Sequence, residues 1–157
     1  MVLLHTALRV RVPTGAFVIE TMWPSPPGDP AERGVVVQAP VFSKWFSGTR
    51  VFRYEVRRWL DGTIPDIGHA IGGPRRLDHS AARARRLLDS VEAVPALTWG
   101  RDRSGVGDMW NSNSVIAWLL ARCGLDMGEI HPPPGCRAPG WAAGVAVAAS
   151  AAGITAA

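Results

Sequence analysis

Residues 108–123 have the sequence DMWNSNSVIAWLLARC, and this stretch predicts a helix that begins with polar side chains. The apolar residues that recur with the period of one helix face are Val115, Ile116, Leu119, Leu120 and Cys123. Asn111 is a good N-cap, and Gly124 supplies the stop. The predicted cap places Ser112 in the first turn, where unpaired backbone N–H groups and the positive end of the helix dipole lie.

The polar tetrad Asn111-Ser112-Asn113-Ser114 has two interpretations. Asn and Ser are common helix caps, and a cap needs no chemistry. Four cap-forming residues in a row exceed what one helix end requires, and a nucleophile at this position would benefit from the helix N-terminus. The tetrad is therefore either a structural cap or part of a functional site.

Composition indicates one globular domain. The chain has 157 residues, of which 47% are hydrophobic and 19% charged, which is typical of a chain that buries one core. We expect one α+β domain over residues 1–149 and a loose Ala-rich C-terminal tail over residues 150–157. The start lacks the features of a secretion signal and no run of about 20 strongly apolar residues occurs, so we expect a cytoplasmic protein without a transmembrane span.

The first part of the chain predicts strands. A hairpin is predicted by two strand-like segments, residues 3–12 and 16–23, which flank a Pro13-Thr14-Gly15 turn. A Pro/Gly loop over 24–30 follows, and residues 35–41 predict a third strand. Residues 50–59 predict a fourth, in which Glu55 and Arg57 share one face and Tyr54 and Val56 the other, as in a sheet with one wet face.

The second part predicts helices. Residues 64–71 predict a short helix and residues 79–94 a longer one, before the tetrad helix. Residues 141–149, WAAGVAVAA, predict a last strand. The sum is an α+β fold in which an antiparallel sheet of about five strands packs against two main helices.

Charge and cysteine content restrict the function classes. The net charge is +4, with one lysine and sixteen arginines, but no nucleic-acid-binding motif accompanies the cluster over residues 75–86, which argues against nucleic acid as a partner. Affinity that falls steeply with salt is the observation that would favour such binding. Two cysteines, without metal-ligand spacing, predict neither a disulfide framework nor a metal site, and no cofactor is expected.

A serine nucleophile needs a base, and His5 is the strongest candidate because it lies on the first predicted strand, where it would be held rigidly. A hydrogen-bonded surface role is the plain alternative for this histidine.

This order of motifs resembles the permuted papain-like superfamily, in which a histidine strand comes early and an Asn-Cys motif opens a late helix. Residues His5-Thr6-Ala7-Leu8 resemble the histidine strand, and Asn111-Ser112-Asn113-Ser114 resembles the nucleophile motif. The layout over residues 3–149 resembles that of lecithin retinol acyltransferase-like proteins, and the resemblance is greatest to an uncharacterised bacterial branch with Asn-Ser-Asn-Ser in place of the cysteine motif.

The resemblance implies a papain-like hydrolase or acyltransferase that acts on an amide or ester of a small-molecule or peptide substrate. Ser112 would be the nucleophile and His5 the base. Glu20 would orient the imidazole, with Glu55 as a weaker candidate, and Asn111 or Asn113 with the N–H of Ser112 would form an oxyanion hole.

The departure from the family is a serine in place of cysteine. A hydroxyl is far less acidic than a thiol and needs full general-base help from His5. The alternative is therefore a catalytically inactive relative whose groove binds a peptide, a lipid or a protein. Trp99, Trp110, Trp118 and Trp141 are the candidates to line that groove. Oligomeric state does not follow from the sequence.

Overall fold

The computed structural model describes residues 1–24, 34–42, 52–64 and 66–155, with side chains up to residue 151. The strands are β1 (Val2–Leu3), β2 (Leu8–Val12), β3 (Gly15–Met22), β4 (Val35–Pro40), β5 (Arg53–Leu60) and β6 (Cys136–Arg137). The α-helices are α1 (Ala81–Ser90), α2 (Ser112–Arg122) and α3 (Trp141–Thr155). The loop predicted at 24–30 lies, from residue 25 on, outside the described residues, as do residues 50 and 51 of the predicted fourth strand.

Four strands form an antiparallel sheet in the order β2-β3-β5-β4. The predicted hairpin is confirmed, with Leu8 opposite Ile19. The predicted strand over 3–12 divides into two, because Leu4 N–H donates to the carbonyl of Arg137 at 2.8 Å. That bond takes the first residues away from β3, and β1 pairs instead in parallel with β6.

Helices α1 and α2 pack on the sheet face that carries Ile19, Tyr54 and Val56, each of which is fully buried. The apolar face predicted for α2 lies in this core, from Val115 to Cys123. Asn111 is the N-cap of α2, as predicted. Residues 79–94 contain α1 followed by a 3-10 turn, whereas the helix predicted at 64–71 is only a 3-10 turn over Ile67–His69.

The prediction of a last strand at 141–149 is wrong, because these residues belong to α3. A short apolar run does not distinguish strand from helix, and here alanine, the best helix former, dominates. The helix lies against α2 and continues to Thr155, past residue 150, where the sequence placed the start of a loose tail. An α+β fold with an antiparallel sheet is confirmed, but the described residues hold six strands and three α-helices.

The prediction of a wet face on β5 is also wrong at its centre. Glu55 is 1% exposed and Arg57 is 3% exposed. The two side chains form an ion pair with Nη2 of Arg57 at 2.7 Å from Oε2 of Glu55, and Nε donates to the same oxygen at 3.2 Å. Buried charges are tolerated when they are paired and hydrogen-bonded in this way. None of the helices in the described ranges has the length and apolar character that a bilayer crossing requires.

Candidate functional site

The structure brings His5 and Ser112 together. Nδ1 of His5 lies 2.9 Å from Oγ of Ser112, although the two residues are 107 positions apart. His5 is exposed and follows β1, while Ser112 is the first residue of α2 and is 7% exposed. This is hydrogen-bond distance for a nucleophile and its base. When the hydroxyl donates to Nδ1, the imidazole carries its own proton on Nε2.

Asn111 and Ser114 form a reciprocal cap at the start of α2. Oδ1 of Asn111 accepts the N–H groups of Asn113 at 2.9 Å and Ser114 at 3.3 Å. Oγ of Ser114 accepts Asn111 N–H at 3.0 Å, which completes a capping box. The Ser114 hydroxyl also lies 2.7 Å from the carbonyl of Gly140, to which it donates. Two of the four tetrad residues are therefore explained by the helix end.

Asn113 binds the residues on both sides of His5. Its Nδ2 donates to the carbonyl of Leu4 at 2.9 Å, and its Oδ1 accepts the hydroxyl of Thr6, also at 2.9 Å. The second amide hydrogen goes to the carbonyl of Pro139 at 2.8 Å. Asn113 is only 3% exposed, so these bonds are made away from water. The side chain therefore connects three segments and leaves Ser112 as the one tetrad residue directed at His5.

Helix α3 approaches the start of α2 through small residues. A Cβ at Gly140 would collide with the Asn111 side chain, and one at Gly144 would collide with the carbonyl of Ser114. Gly140 N–H donates to Oδ1 of Asp108 at 2.8 Å, which ties the loop before α2 to the start of α3. The two glycines permit a close approach of α3 that fixes the position of the first turn of α2, where Ser112 lies.

The structure does not bring Glu20 or Glu55 to His5. Glu20 is paired in register with Arg57 and lies on the opposite sheet face from Ile19, which packs against the helices. Its Oε1 is buried and has no hydrogen-bond partner among the described residues. Burial raises the pKa of the Glu20 carboxyl, while Arg57 nearby lowers it. The carboxylate of Glu55 is bound in its ion pair with Arg57. Among the described residues, no side chain forms a hydrogen bond with Nε2 of His5.

Of the groups suggested for an oxyanion hole, the N–H of Ser112 and one amide hydrogen of Asn111 make no hydrogen bond to another described residue. Both amide hydrogens of Asn113 are used, and one of those of Asn111 goes to the carbonyl of Pro139 at 2.9 Å. The N–H of Ser112 makes no hydrogen bond to another described residue. It lies at the positive end of the helix dipole, where an oxyanion is stabilised.

His5 and Thr6 line a groove of about 1000 Å³ that runs beside β2. The four tryptophans suggested for a binding groove do not line it. Trp110 and Trp118 are 1% and 4% exposed and belong to the core, and Trp99 and Trp141 are packed against it. In the described parts of the chain, no group of three or more His, Cys, Asp or Glu side chains is arranged to hold a metal ion.

Thr6 and Pro139 are the site residues that the sequence did not indicate as contacts. Thr6 stands next to His5 in the quoted motif, but nothing in its neighbours predicts a bond to Asn113. Comparison of the chain with known protein families, with curated proteins and with solved structures found no match.

Proposed function

We propose that this chain is a papain-like hydrolase or acyltransferase of the permuted superfamily that acts on an amide or ester, with Ser112 as nucleophile and His5 as base. The observation that carries the proposal is the distance of 2.9 Å between Nδ1 of His5 and Oγ of Ser112. The position of Ser112 at the first turn of α2 supports it, because the helix end favours the negative charge that develops during acyl transfer.

The reaction begins with transfer of the Ser112 hydroxyl proton to Nδ1 of His5 as Oγ attacks the substrate carbonyl carbon. The carbonyl π bond becomes an oxyanion, which accepts a hydrogen bond from Ser112 N–H. When the tetrahedral intermediate collapses, the bond to the leaving nitrogen or oxygen breaks, and the proton on Nδ1 of His5 goes to that atom. The product of this half-reaction is an ester between the acyl group and Oγ of Ser112.

The second half-reaction decides between hydrolase and acyltransferase. Water or an acceptor alcohol or amine attacks the acyl-serine, and His5 takes the proton of the attacking group. Collapse returns that proton to Oγ of Ser112 and releases the acid or the new ester or amide. His5 is exposed and lines the groove, so either acceptor can reach the imidazole that takes its proton.

A second candidate function is binding without catalysis. It is favoured by the surroundings of Nε2 of His5, to which no described side chain bonds, because the third member of a triad normally orients the imidazole and stabilises its cationic form. In that case the Ser112–His5 contact is a structural hydrogen bond that holds His5 in the lining of a binding groove.

A serine-reactive fluorophosphonate probe distinguishes the two candidates. The proposal predicts labelling at Ser112, read by intact mass and peptide mapping, and loss of labelling in Ser112→Ala and in His5→Ala. Matched controls are Ser150→Ala and His131→Ala, which change exposed residues outside the groove and should leave labelling unchanged.

Ser112→Cys gives an independent measurement. A thiol at a helix N-terminus beside an imidazole forms its thiolate readily, so the variant should react with iodoacetamide faster than Cys136 does in the same protein. The buried Cys123 serves as an unreactive internal reference. Absence of probe labelling at Ser112, together with ordinary thiol reactivity at position 112, would contradict the enzyme and favour the binding module.

A further inference from the structure

The outer edge of β2 carries unpaired backbone groups. Asp61 N–H donates to the carbonyl of Ala16, so alternate residues of β3, beginning at 16, direct their backbone polar groups toward β5. The residues between them face β2 and pair with Leu8 and Val10. Arg9 and Arg11 therefore direct their N–H and C=O groups away from the sheet, and no described segment bonds to them.

The groove lies along this edge. Its volume is about 1000 Å³, and its lining includes every residue from Val2 to Arg11 as well as parts of the segment 64–84. The five residues of β2 extend over about 17 Å. A groove bounded on one side by an unpaired strand edge has the hydrogen-bonding pattern that an added strand requires. His5 is part of the same lining.

The lining is positively charged. It contains five arginines and two aspartates. Arg83 is paired with Asp78 at 3.2 Å, whereas Arg9 and Arg11 are exposed and form no ion pair with a described residue. The two faces of β2 also differ, since the arginine side chains alternate with Leu8 and Val10 on the apolar face.

We propose that the β2 edge binds an extended acidic peptide as an additional strand of the sheet. Its backbone pairs with Arg9 and Arg11, its acidic side chains lie beside the two guanidinium groups, and its alternate apolar side chains lie on the face of Leu8 and Val10. As a substrate surface this inference rests on the proposed function, because His5 lines the same groove. Binding itself does not depend on turnover.

A charged edge has another physical explanation. Short edge strands with charged side chains prevent sheets from pairing with one another. That role predicts no affinity for a peptide of either charge. The two explanations therefore give opposite results in a binding experiment.

The experiment uses full-length Ser112→Ala, so that binding is measured without hydrolysis. Fluorescence anisotropy is recorded with a labelled octapeptide in which Glu and Val alternate, and with the matched Gln-Val and Lys-Val peptides. We expect the acidic peptide to bind, the Lys-Val peptide not to bind, and the affinity to fall as salt increases. Amide hydrogen exchange at Arg9 and Arg11 should slow when the acidic peptide is bound.

Two variants separate charge from backbone. Replacing Arg9 and Arg11 together by Gln should weaken binding by about fivefold, since an exposed ion pair contributes a factor of roughly 1.5 to 5. Arg11→Pro removes the outward N–H together with the Arg11 charge, so it is compared with Arg11→Gln. It should bind about fivefold more weakly than Arg11→Gln, without loss of β3 pairing. Arg85→Ala, on α1 outside the groove, is the matched control and should bind normally.

The outcomes decide both proposals separately. Equal binding of the acidic and Gln-Val peptides, or slowed exchange away from β2, would overturn the inference. Absence of binding would overturn it in favour of edge protection. Probe labelling at Ser112 without peptide binding would leave the catalytic proposal standing, and peptide binding without labelling would leave only the binding surface.

Discussion

Replacement of Asn113 by Ala should loosen the segment that holds His5. The substitution removes three hydrogen bonds of 2.8–2.9 Å, made to Leu4, Thr6 and Pro139 by a side chain that is 3% exposed. A hydrogen bond of this kind contributes about 1 kcal/mol net. The carbonyl of Pro139 keeps its bond from Asn111, so we expect a loss of about 2–3 kcal/mol in the free energy of unfolding.

Urea unfolding followed by tryptophan fluorescence measures this loss. In thermal unfolding, the same loss of free energy should lower the Tm by about 4–12 °C for a chain of this size. Thr6→Val removes one of the three bonds and should cost about 1 kcal/mol. The double variant should cost less than the sum of the two, with a coupling energy of about 1 kcal/mol, because both changes remove the same bond. Ser150→Ala is an exposed control.

A positional role also predicts a change at the imidazole. The NMR signals of the His5 ring should shift and broaden in Asn113→Ala and stay unchanged in Ser150→Ala. A stability within about 0.5 kcal/mol of the parent protein, or zero coupling between Thr6 and Asn113, would refute the argument that this asparagine fixes the His5 segment.

Three further changes test the packing and the buried charge. Gly144→Ala should cost about 1–3 kcal/mol by overpacking against α2, whereas Gly68→Ala, with open space around it, should be neutral in the same urea experiment. Tyr54→Phe removes the hydroxyl that accepts Trp110 Nε1–H at 3.0 Å and should cost about 1–3 kcal/mol in thermal unfolding; an unchanged Tm would argue against that bond. Burial raises the pKa of the Glu20 carboxyl, so the folded state binds the carboxyl proton more tightly than the unfolded state does. The free energy of unfolding should therefore fall as pH rises from about 4 toward the raised pKa. Glu20→Gln should flatten that dependence and be more stable than the parent at neutral pH, and a steeper pH dependence in the variant would contradict the assignment.

Local signals in the sequence were enough to predict α2. The Asn111 cap, the apolar period and Gly124 all act within one helix, so no tertiary information was needed. The hairpin of β2 and β3 was predictable for the same reason, since its turn and alternation are local. The proximity of His5 to Ser112 is not local, and only the order of motifs pointed to it.

The predictions that failed share a physical cause, because they concern features that tertiary packing determines and the local sequence does not. Alternation along β3 shows that Ile19 and Glu20 face opposite sides of the sheet, but it does not show which side carries the helices. The sequence therefore predicts Glu20 beside His5, whereas the structure places it on the other face, beside Arg57. For the same reason, alternation along β5 predicts that Glu55 and Arg57 are exposed to solvent, although both are buried. The run WAAGVAVAA fits a strand or a helix, and its contact with α2 through Gly144 selects the helix.

The 107 positions between His5 and Ser112 also have a consequence for biosynthesis. A ribosome adds about 5–20 residues each second, so the histidine segment exists for roughly 5–20 s before its serine partner is made. Asn113 completes the junction only after Pro139 has followed. A nascent chain therefore carries the imidazole without the hydroxyl, and the proposed acyl transfer requires that nearly all of this sequence has been translated.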